Sequence, residues 1–363
     1  MFYARLRDST TLLRSIRVTS RRRLGAIIGY GFIAESGHLP AYRANSEFEI
    51  VAVADVCAAR RELAARALPH ARIYADHESL LLHEAHRLDF VDITAPPYVH
   101  VPIARAALES NVHVLCEKPL ATGVEGARAL CALAEHRHRV LFPSHNYKHA
   151  PVIQAVRDAL STGLIGQVRM VTLATFRNTH ARGVKEWNEH WRRQRKFSGG
   201  GIAMDHGSHT FYLAFEWLRS YPSSIVARMN ASDAGDTEDN FSAVLTFPTG
   251  IATAQLSWTA GVRKVIYTVH GDHGALRVED DDIELSVLHP GPPTRWERST
   301  RSVSSAWMDA SHVGWFGSLF RSFARAMDEH RWVSSDTEDA VHCIEVIGAA
   351  YSSAAAHSRE QAL

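Results

Sequence analysis

Ala26-Ile27-Ile28-Gly29-Tyr30-Gly31-Phe32-Ile33-Ala34 decides how the first half of this chain folds. An apolar run, Leu24 to Ile28, leads into it, and a helix-like stretch to Ala44 leads out, so the text reads strand, glycine turn, helix. The spacing is G-x-G-x-x-A. Gly29 permits a tight turn, Gly31 lets backbone approach a pyrophosphate, and the small Ala34 lets helix and strand pack closely. The helix start, with Phe32 and Ile33 in its first turn, offers free N–H groups and a positive dipole to phosphates. Such a turn also occurs in α/β proteins that bind no nucleotide. Asp55 narrows the choice: it follows Val51-Ala52-Val53-Ala54, about 20 residues beyond Ala34, where an acid accepts both ribose hydroxyls. A carboxylate there suits NAD better than NADP, whose 2′-phosphate it would repel. Arg60 and Arg61 follow closely and leave NADP open; their plainer reading is as solvated helix arginines.

Outward from the turn the same rhythm repeats. Glu49 to Ala54 reads as a strand and the next segment as a helix through Ala67. Phe90 to Thr94, Val112 to Cys116 and Val140 to Pro143 read as strands, with helices at Val101 to Ser110 and Gly123 to His136. Short apolar strands alternating with helices are βαβ units, hence a doubly wound parallel sheet of the Rossmann type. After Ser144 one helix, Pro151 to Leu160, precedes a run of strands. In Ile251 to Thr259, the apolar Ala252, Ala254, Leu256 and Trp258 alternate with polar residues, one face of a sheet apolar and the other polar. Pro248-Thr249-Gly250 and Gly271-Asp272-His273-Gly274 are turn signals consistent with a meander. The expected organisation is an extension, 1–23, then a Rossmann domain, 24–143, then an α+β domain with a large, mainly antiparallel open sheet, 144–363. Asp233 to Asp239 reads as a polar loop of the last.

Bulk properties agree. At 363 residues the chain has the length of two domains. Forty basic and 39 acidic residues leave a net charge of +1, without the dense basic surface that nucleic acid demands. No uncharged apolar run approaches the roughly 18 to 20 residues that cross a bilayer, and no secretory apolar core opens the chain. Cys57, Cys116, Cys131 and Cys343 lie far apart, so a reducing, cytoplasmic setting is expected. Residues 1–23 carry seven arginines and a single acid, Asp8. They resemble an organelle transit peptide, but a mobile or crossover arm, or a start assigned too early, is the expectation, because the recognisable fold begins at Leu24.

Three later motifs follow in order: Thr94-Ala95-Pro96-Pro97-Tyr98-Val99-His100, then Cys116-Glu117-Lys118-Pro119-Leu120, then Gly199-Gly200-Gly201-Ile202-Ala203-Met204-Asp205-His206-Gly207-Ser208-His209. With them the chain resembles the glucose–fructose oxidoreductase, inositol dehydrogenase and rhizopine-catabolism family over nearly everything from Leu24 onward. The resemblance implies that Lys118 contacts the reacting oxygen beside the nicotinamide and that the Lys118–Pro119 bond is cis. It implies that Asp205 and His209 serve the substrate side and that His100 lies near the nicotinamide; Thr94 and Glu117 are further candidate cofactor contacts. It implies a homodimer or homotetramer, since open sheets in the family commonly pack face to face. The fit is imperfect: Tyr212 stands where the family often has an aspartate, and Lys148, expected among the substrate-binding residues, stands where many relatives carry an arginine.

Oxidising a secondary alcohol needs a base for the hydroxyl proton and a cation for developing alkoxide. His209, with an ordinary pKa near 6.5, is the candidate acceptor. Lys118 is the candidate cation, or the proton carrier if burial lowers its pKa. Asp205 and His209 are four apart, so on a helix the carboxylate is expected to orient the ring. His206 falls about 100° off their face, which argues against a metal cluster. Cys116, ending a buried strand, reads as a core residue. His100 has a bland reading too, as a loop cap, and Glu117 can hydrogen-bond backbone instead of cofactor. In Lys185 to Lys196, Trp187 or Trp191 can stack on the C–H face of a sugar, and Arg192 can bind hydroxyls or an anion; the bland alternative is a basic loop with core tryptophans. The expected substrate is a sugar, cyclitol or sugar derivative. Relatives that reduce biliverdin or oxidise dihydrodiols keep a non-sugar substrate open, and a dinucleotide-sensing regulator is the reading from a different class.

Overall fold

The apolar run at Leu24 becomes the strand β1 (Arg23–Ile28), laid in the middle of a six-stranded sheet. The computed structural model describes residues 21–231, 236–289, 291–305, 307 and 309–363. Most of the arginine-rich extension, residues 1–20, and part of the polar loop at 233–239 lie outside the described residues.

The other strands of the first sheet are β2 (Phe48–Ala54), β3 (Arg72–Tyr74), β4 (Phe90–Ile93), β5 (His113–Cys116) and β6 (Leu141–Pro143). Their order is β3-β2-β1-β4-β5-β6, every pair parallel. Helices α1 (Leu39–Arg43), α2 (Ala58–Ala67), α3 (His77–Glu84), α4 (His100–Glu109) and α5 (Val124–Arg137) make the crossovers. A π-helical segment, Ala34–His38, runs directly into α1. The strand order reverses between β1 and β4, so the crevice for a ligand opens at the carboxyl ends of those strands. Gly29 sits there with φ of +96°, and a Cβ on it would stand 2.6 Å from the Ala95 nitrogen. Only glycine lets the loop after β4 pass so close to the turn. β3 and α3 carried no clear signal: β3 is a three-residue edge strand, incompletely buried, and α3 is short and capped by Asp76, which accepts the Ser79 N–H at 2.7 Å.

After α6 (Pro151–Ser161) the chain lays down β7 (Val168–Phe176), then two helices, α7 (Arg195–Ser198) and α8 (Ile202–Leu218). The strands β8 (Ser224–Asn230), β9 (Asn240–Phe247), β10 (Gly250–Ser257), β11 (Lys264–Gly271), β12 (Gly274–Glu279), β13 (Asp282–His289) and β14 (Arg295–Ser302) follow. The chain ends with α9 (Val313–Asp328), α10 (Ser335–Ala355) and β15 (Gln361–Ala362). The sheet order is β14-β13-β12-β11-β7-β10-β9-β8-β15. The pairs are antiparallel except β7 with β10, because β7 enters early and the later hairpins assemble on both sides of it.

Alternation in β10 holds: Ala252, Ala254 and Leu256, with Trp258 just past the strand, are buried and join one core with α8 and α10. On the opposite face Met170, Val244 and Ile251 are exposed. The helix α9 follows the second sheet in sequence yet packs on the first, where Phe316, Phe320 and Phe323 meet Ile27, Tyr30, Phe48 and Phe90. The two sheets are thereby braced against each other from the chain's C-terminal part.

Candidate active site

The cofactor turn is built as its spacing requires. A Cβ on Gly31 would meet nothing within 4 Å, leaving open space beside the helix start. Asp55, just past β2, folds back over the turn: one carboxylate oxygen accepts the Tyr30 N–H at 2.7 Å and the other the Cys57 N–H at 2.7 Å. Burial raises its pKa, against these bonds and the nearby Arg60 and Arg61. Each oxygen keeps a lone pair, so the carboxylate and the open glycine together fit a dinucleotide with an unmodified ribose. Of the two arginines expected to be solvated, Arg60 is not, and Arg61 is partly exposed. Arg60 is buried, donating to the Tyr30 carbonyl at 2.7 Å and to Glu35 at 2.6 Å. Arg61 donates to the Asp55 carbonyl at 2.8 Å. Both are occupied by protein acceptors.

Three other expected cofactor residues serve the crevice walls. The Thr94 hydroxyl donates to the Gly29 carbonyl at 2.5 Å, tying β4 to the turn. The buried His100 ring spans the Pro119 and Ala95 carbonyls at 2.8 and 2.7 Å, joining the loops after β5 and β4. Glu117 lies at the end of a buried charge chain that carried no signal in the sequence. Its Oε1 is 3.2 Å from His38 Nε2, while His38 Nδ1 is 2.7 Å from Asp92, which also accepts from Tyr42 at 3.0 Å. Burial opposes charge on His38, but Asp92 and Glu117 lift its pKa to about 9. Asp92 is hidden within an apolar strand and His38 within an amphipathic helix; neither stands out until the fold joins them. Cys116 is fully buried, and burial pushes its thiol well above the ordinary value.

Lys118 follows β5 through a cis bond to Pro119. Its Nζ donates to the Asp205 carbonyl at 2.8 Å and to its carboxylate at 2.9 Å, the contact that joins the two halves of the crevice. Asp205 is presented by α8, a helix buried on almost every side. The glycines before it admit its cap: a Cβ on Gly200 would stand 1.9 Å from Tyr351 Oη, and one on Gly201 2.0 Å from the Glu238 carbonyl. The Glu238 carboxylate accepts the Gly201 and Ala203 N–H groups at 3.0 and 2.9 Å, a favourable charge at the positive end of the helix. Glu238 was unseen in a segment read only as polar loop. Burial works to raise the Asp205 carboxyl, but Lys118 and Arg192, with the nearby His206 ring, hold it well below the usual carboxylate range.

Two expectations about this helix are corrected. Asp205 does not orient His209; its free oxygen faces His206 Nδ1 at 3.3 Å. Nor does His206 turn away, because its ring swings back along the helix to that carboxylate. His209 instead pairs through Nδ1 with Tyr212 Oη at 2.8 Å and lies flat on the Tyr147 ring, centroids 3.9 Å apart. Burial, then Lys118 and His206, push its pKa well below 6.5. A ring three residues on has taken the place expected of an acid four residues back.

The Lys148 expectation also changes. Its ammonium lies 2.6 Å from both Asp336 and Asp339 in α10 and so is committed to carboxylates, not held open toward a substrate. Arg192, by contrast, reaches the site: its Nε is 3.5 Å from Asp205, and its guanidinium stacks 4.1 Å above the Trp191 ring. Trp187 packs on Phe197. Among the described residues, no group of three or more His, Cys, Asp or Glu is placed to hold a metal ion.

Known proteins place this architecture. Residues 24–145 match the model of the oxidoreductase family with an NAD-binding Rossmann fold, and residues 153–277 the GFO/IDH/MocA C-terminal domain. The chain is 30% identical to the D-apiose dehydrogenase of Paraburkholderia graminis over 306 residues, 80% of this chain and 78% of that one. It is 30% identical to an uncharacterized oxidoreductase of Synechocystis over 210 residues, 58% of this chain but only 54% of the relative's length. A levoglucosan dehydrogenase solved with NADH shares the fold, with a TM-score of 0.80 at 19% identity over 94% of this chain and 99% of that one. The chain belongs to the GFO/IDH/MocA family of oxidoreductases, and its first domain is of the NAD-binding kind.

Proposed function

We propose that this chain transfers a hydride between NAD and a carbon bearing a secondary hydroxyl or a keto group on a sugar, cyclitol or sugar derivative. One observation carries it: Lys118, at the carboxyl end of a parallel strand, is hydrogen-bonded across the crevice to Asp205. When bound, the nicotinamide supplies or accepts the hydride. In reduction, the Lys118 ammonium donates a hydrogen bond and then its proton to the carbonyl oxygen as negative charge develops there. In oxidation the neutral amine takes the hydroxyl proton, and the resulting ammonium is stabilised by Asp205. His209 helps to carry the charge on that oxygen. Arg192, stiffened by Trp191, binds a hydroxyl or an anionic group of the substrate, while Trp191 offers a ring face to sugar C–H bonds. A sugar is favoured by the name of the D-apiose dehydrogenase relative. NAD is favoured over NADP because Arg60 and Arg61 are held by protein acceptors.

A homodimer or homotetramer is part of the proposal, with Met170, Val244 and Ile251 on the uncovered face of the large sheet as its apolar contact. So is a cytoplasmic location, supported by four free cysteines; no described helix is long and apolar enough to cross a membrane. The test is a screen of cyclitols, aldoses, sugar acids and nucleotide sugars with NAD and NADP, read at the reduced-nicotinamide absorbance. Lys118→Ala should lower kcat on the order of 10²- to 10⁴-fold while fluorescence titration finds NAD affinity largely kept. A fully active variant would refute the assignment.

A further inference from the structure

We infer that Tyr212 holds His209 in the Nε2–H form, so that this histidine donates a hydrogen bond to the reacting oxygen instead of acting as the base that removes its proton. The identity of that oxygen rests on the function proposed above; the position of the proton does not.

The inference follows from counting donors and acceptors. Tyr212 is fully buried, and its Oη has two hydrogen-bond partners among the described residues. It accepts the Tyr147 N–H at 3.2 Å, and it lies 2.8 Å from His209 Nδ1. The backbone N–H cannot receive the phenol's proton, which leaves Nδ1 as the acceptor. With Nδ1 protonated, two N–H groups would converge on one oxygen and the phenol proton would be buried without an acceptor. A neutral ring that accepts at Nδ1 carries its hydrogen on Nε2, and Nε2 has no partner among the described residues.

The surroundings keep the ring neutral. Facing it are Lys118 from the turn after β5, His206 and Asp205 on its own helix, and His145. Tyr147 covers one face, and the Lys148 ammonium stands 5.5 Å from the Tyr212 ring behind it. Asp205 alone of these favours an imidazolium, and it is already engaged by Lys118, Arg192 and His206. Burial also raises the Tyr212 phenol well above its ordinary value, so the pair does not exchange charge. Two donors, Lys118 Nζ and His209 Nε2, therefore serve one substrate oxygen, and proton exchange belongs to Lys118.

Neutron diffraction from deuterated crystals tests this without any substrate. Deuterium is expected on His209 Nε2 and on Tyr212 Oη along its contact with Nδ1; deuterium on Nδ1 overturns the inference, whatever the protein turns over. Kinetics test the role. His209→Ala should lower kcat on the order of 10²-fold, whereas His209→Gln, which keeps an N–H donor at that end of the side chain, should recover most of it. Neither should move the pH profile. A Gln variant no better than Ala, or a profile that loses its acid limb in both, would assign His209 as a base. Tyr212→Asp should draw the proton to Nδ1, expose a basic Nε2 and add an acid limb; an unchanged profile would count against control by Tyr212.

Discussion

His38 gives the fold a pH dependence that can be isolated by one substitution. Both ring nitrogens face carboxylate oxygens, Asp92 at 2.7 Å and Glu117 at 3.2 Å, so the buried ring must carry two protons to satisfy them. Burial disfavours that charge, but the two acids win and lift its pKa from 6.5 to about 9. At about 1.4 kcal/mol per pH unit, that rise corresponds to about 3 kcal/mol of folding stability. The folded state binds the proton more tightly than the unfolded chain does. The contribution is therefore complete below the unfolded value of 6.5, falls as pH climbs, and is gone above about 9. His38→Gln removes the titration while leaving a polar side chain between the acids. Urea unfolding of both proteins, followed by tryptophan fluorescence, should show the stability gap between wild type and variant shrinking by about 3 kcal/mol from about pH 6 to about pH 9.5. Groups that do not touch His38 titrate alike in both proteins and cancel in the difference. Parallel stability curves would show that His38 carries no extra charge in the folded state and would refute the reasoning.

Glycines of the two motifs should separate binding from folding. Gly31→Ala places its methyl in open space, so thermal melting should be nearly unchanged while NAD affinity by calorimetry falls; Gly200→Ala drives a methyl to 1.9 Å from Tyr351 Oη and should cost about 1–3 kcal/mol of stability. Lys148→Met leaves Asp336 and Asp339 without their shared cation and should destabilise by about 3 kcal/mol, with KM little changed among molecules that remain folded. A raised KM with unaltered melting would return Lys148 to the substrate.

The first sheet was legible because its strands are short apolar runs at regular spacing, and the turn at Gly29 and the acid at Asp55 are adjacent in the chain to the strands that place them. β3 and α3 were missed for want of the same contrast, and the parallel pairing of β7 with β10 is a long-range choice no local pattern encodes. Lys118, Asp205 and His209 were each singled out by motif, and Arg192 by the basic, tryptophan-bearing stretch around it. Their pairing was not: a four-residue spacing suggested that Asp205 serves His209, whereas side-chain rotation gives Asp205 to Lys118 and His206 and gives His209 to Tyr212.

From the sequence alone came the parallel sheet, the nucleotide turn, its acid and the list of groups able to do the chemistry, since each is written in neighbouring residues and local periodicity. Only the tertiary structure decided which groups share a charge or a proton. Glu238 reaches the start of α8 from 37 residues away in sequence, Asp336 and Asp339 claim Lys148 from 188 and 191, and Asp92 meets His38 from 54. Electrostatics and hydrogen bonding depend on distance and burial in space, and those are properties of the packed chain.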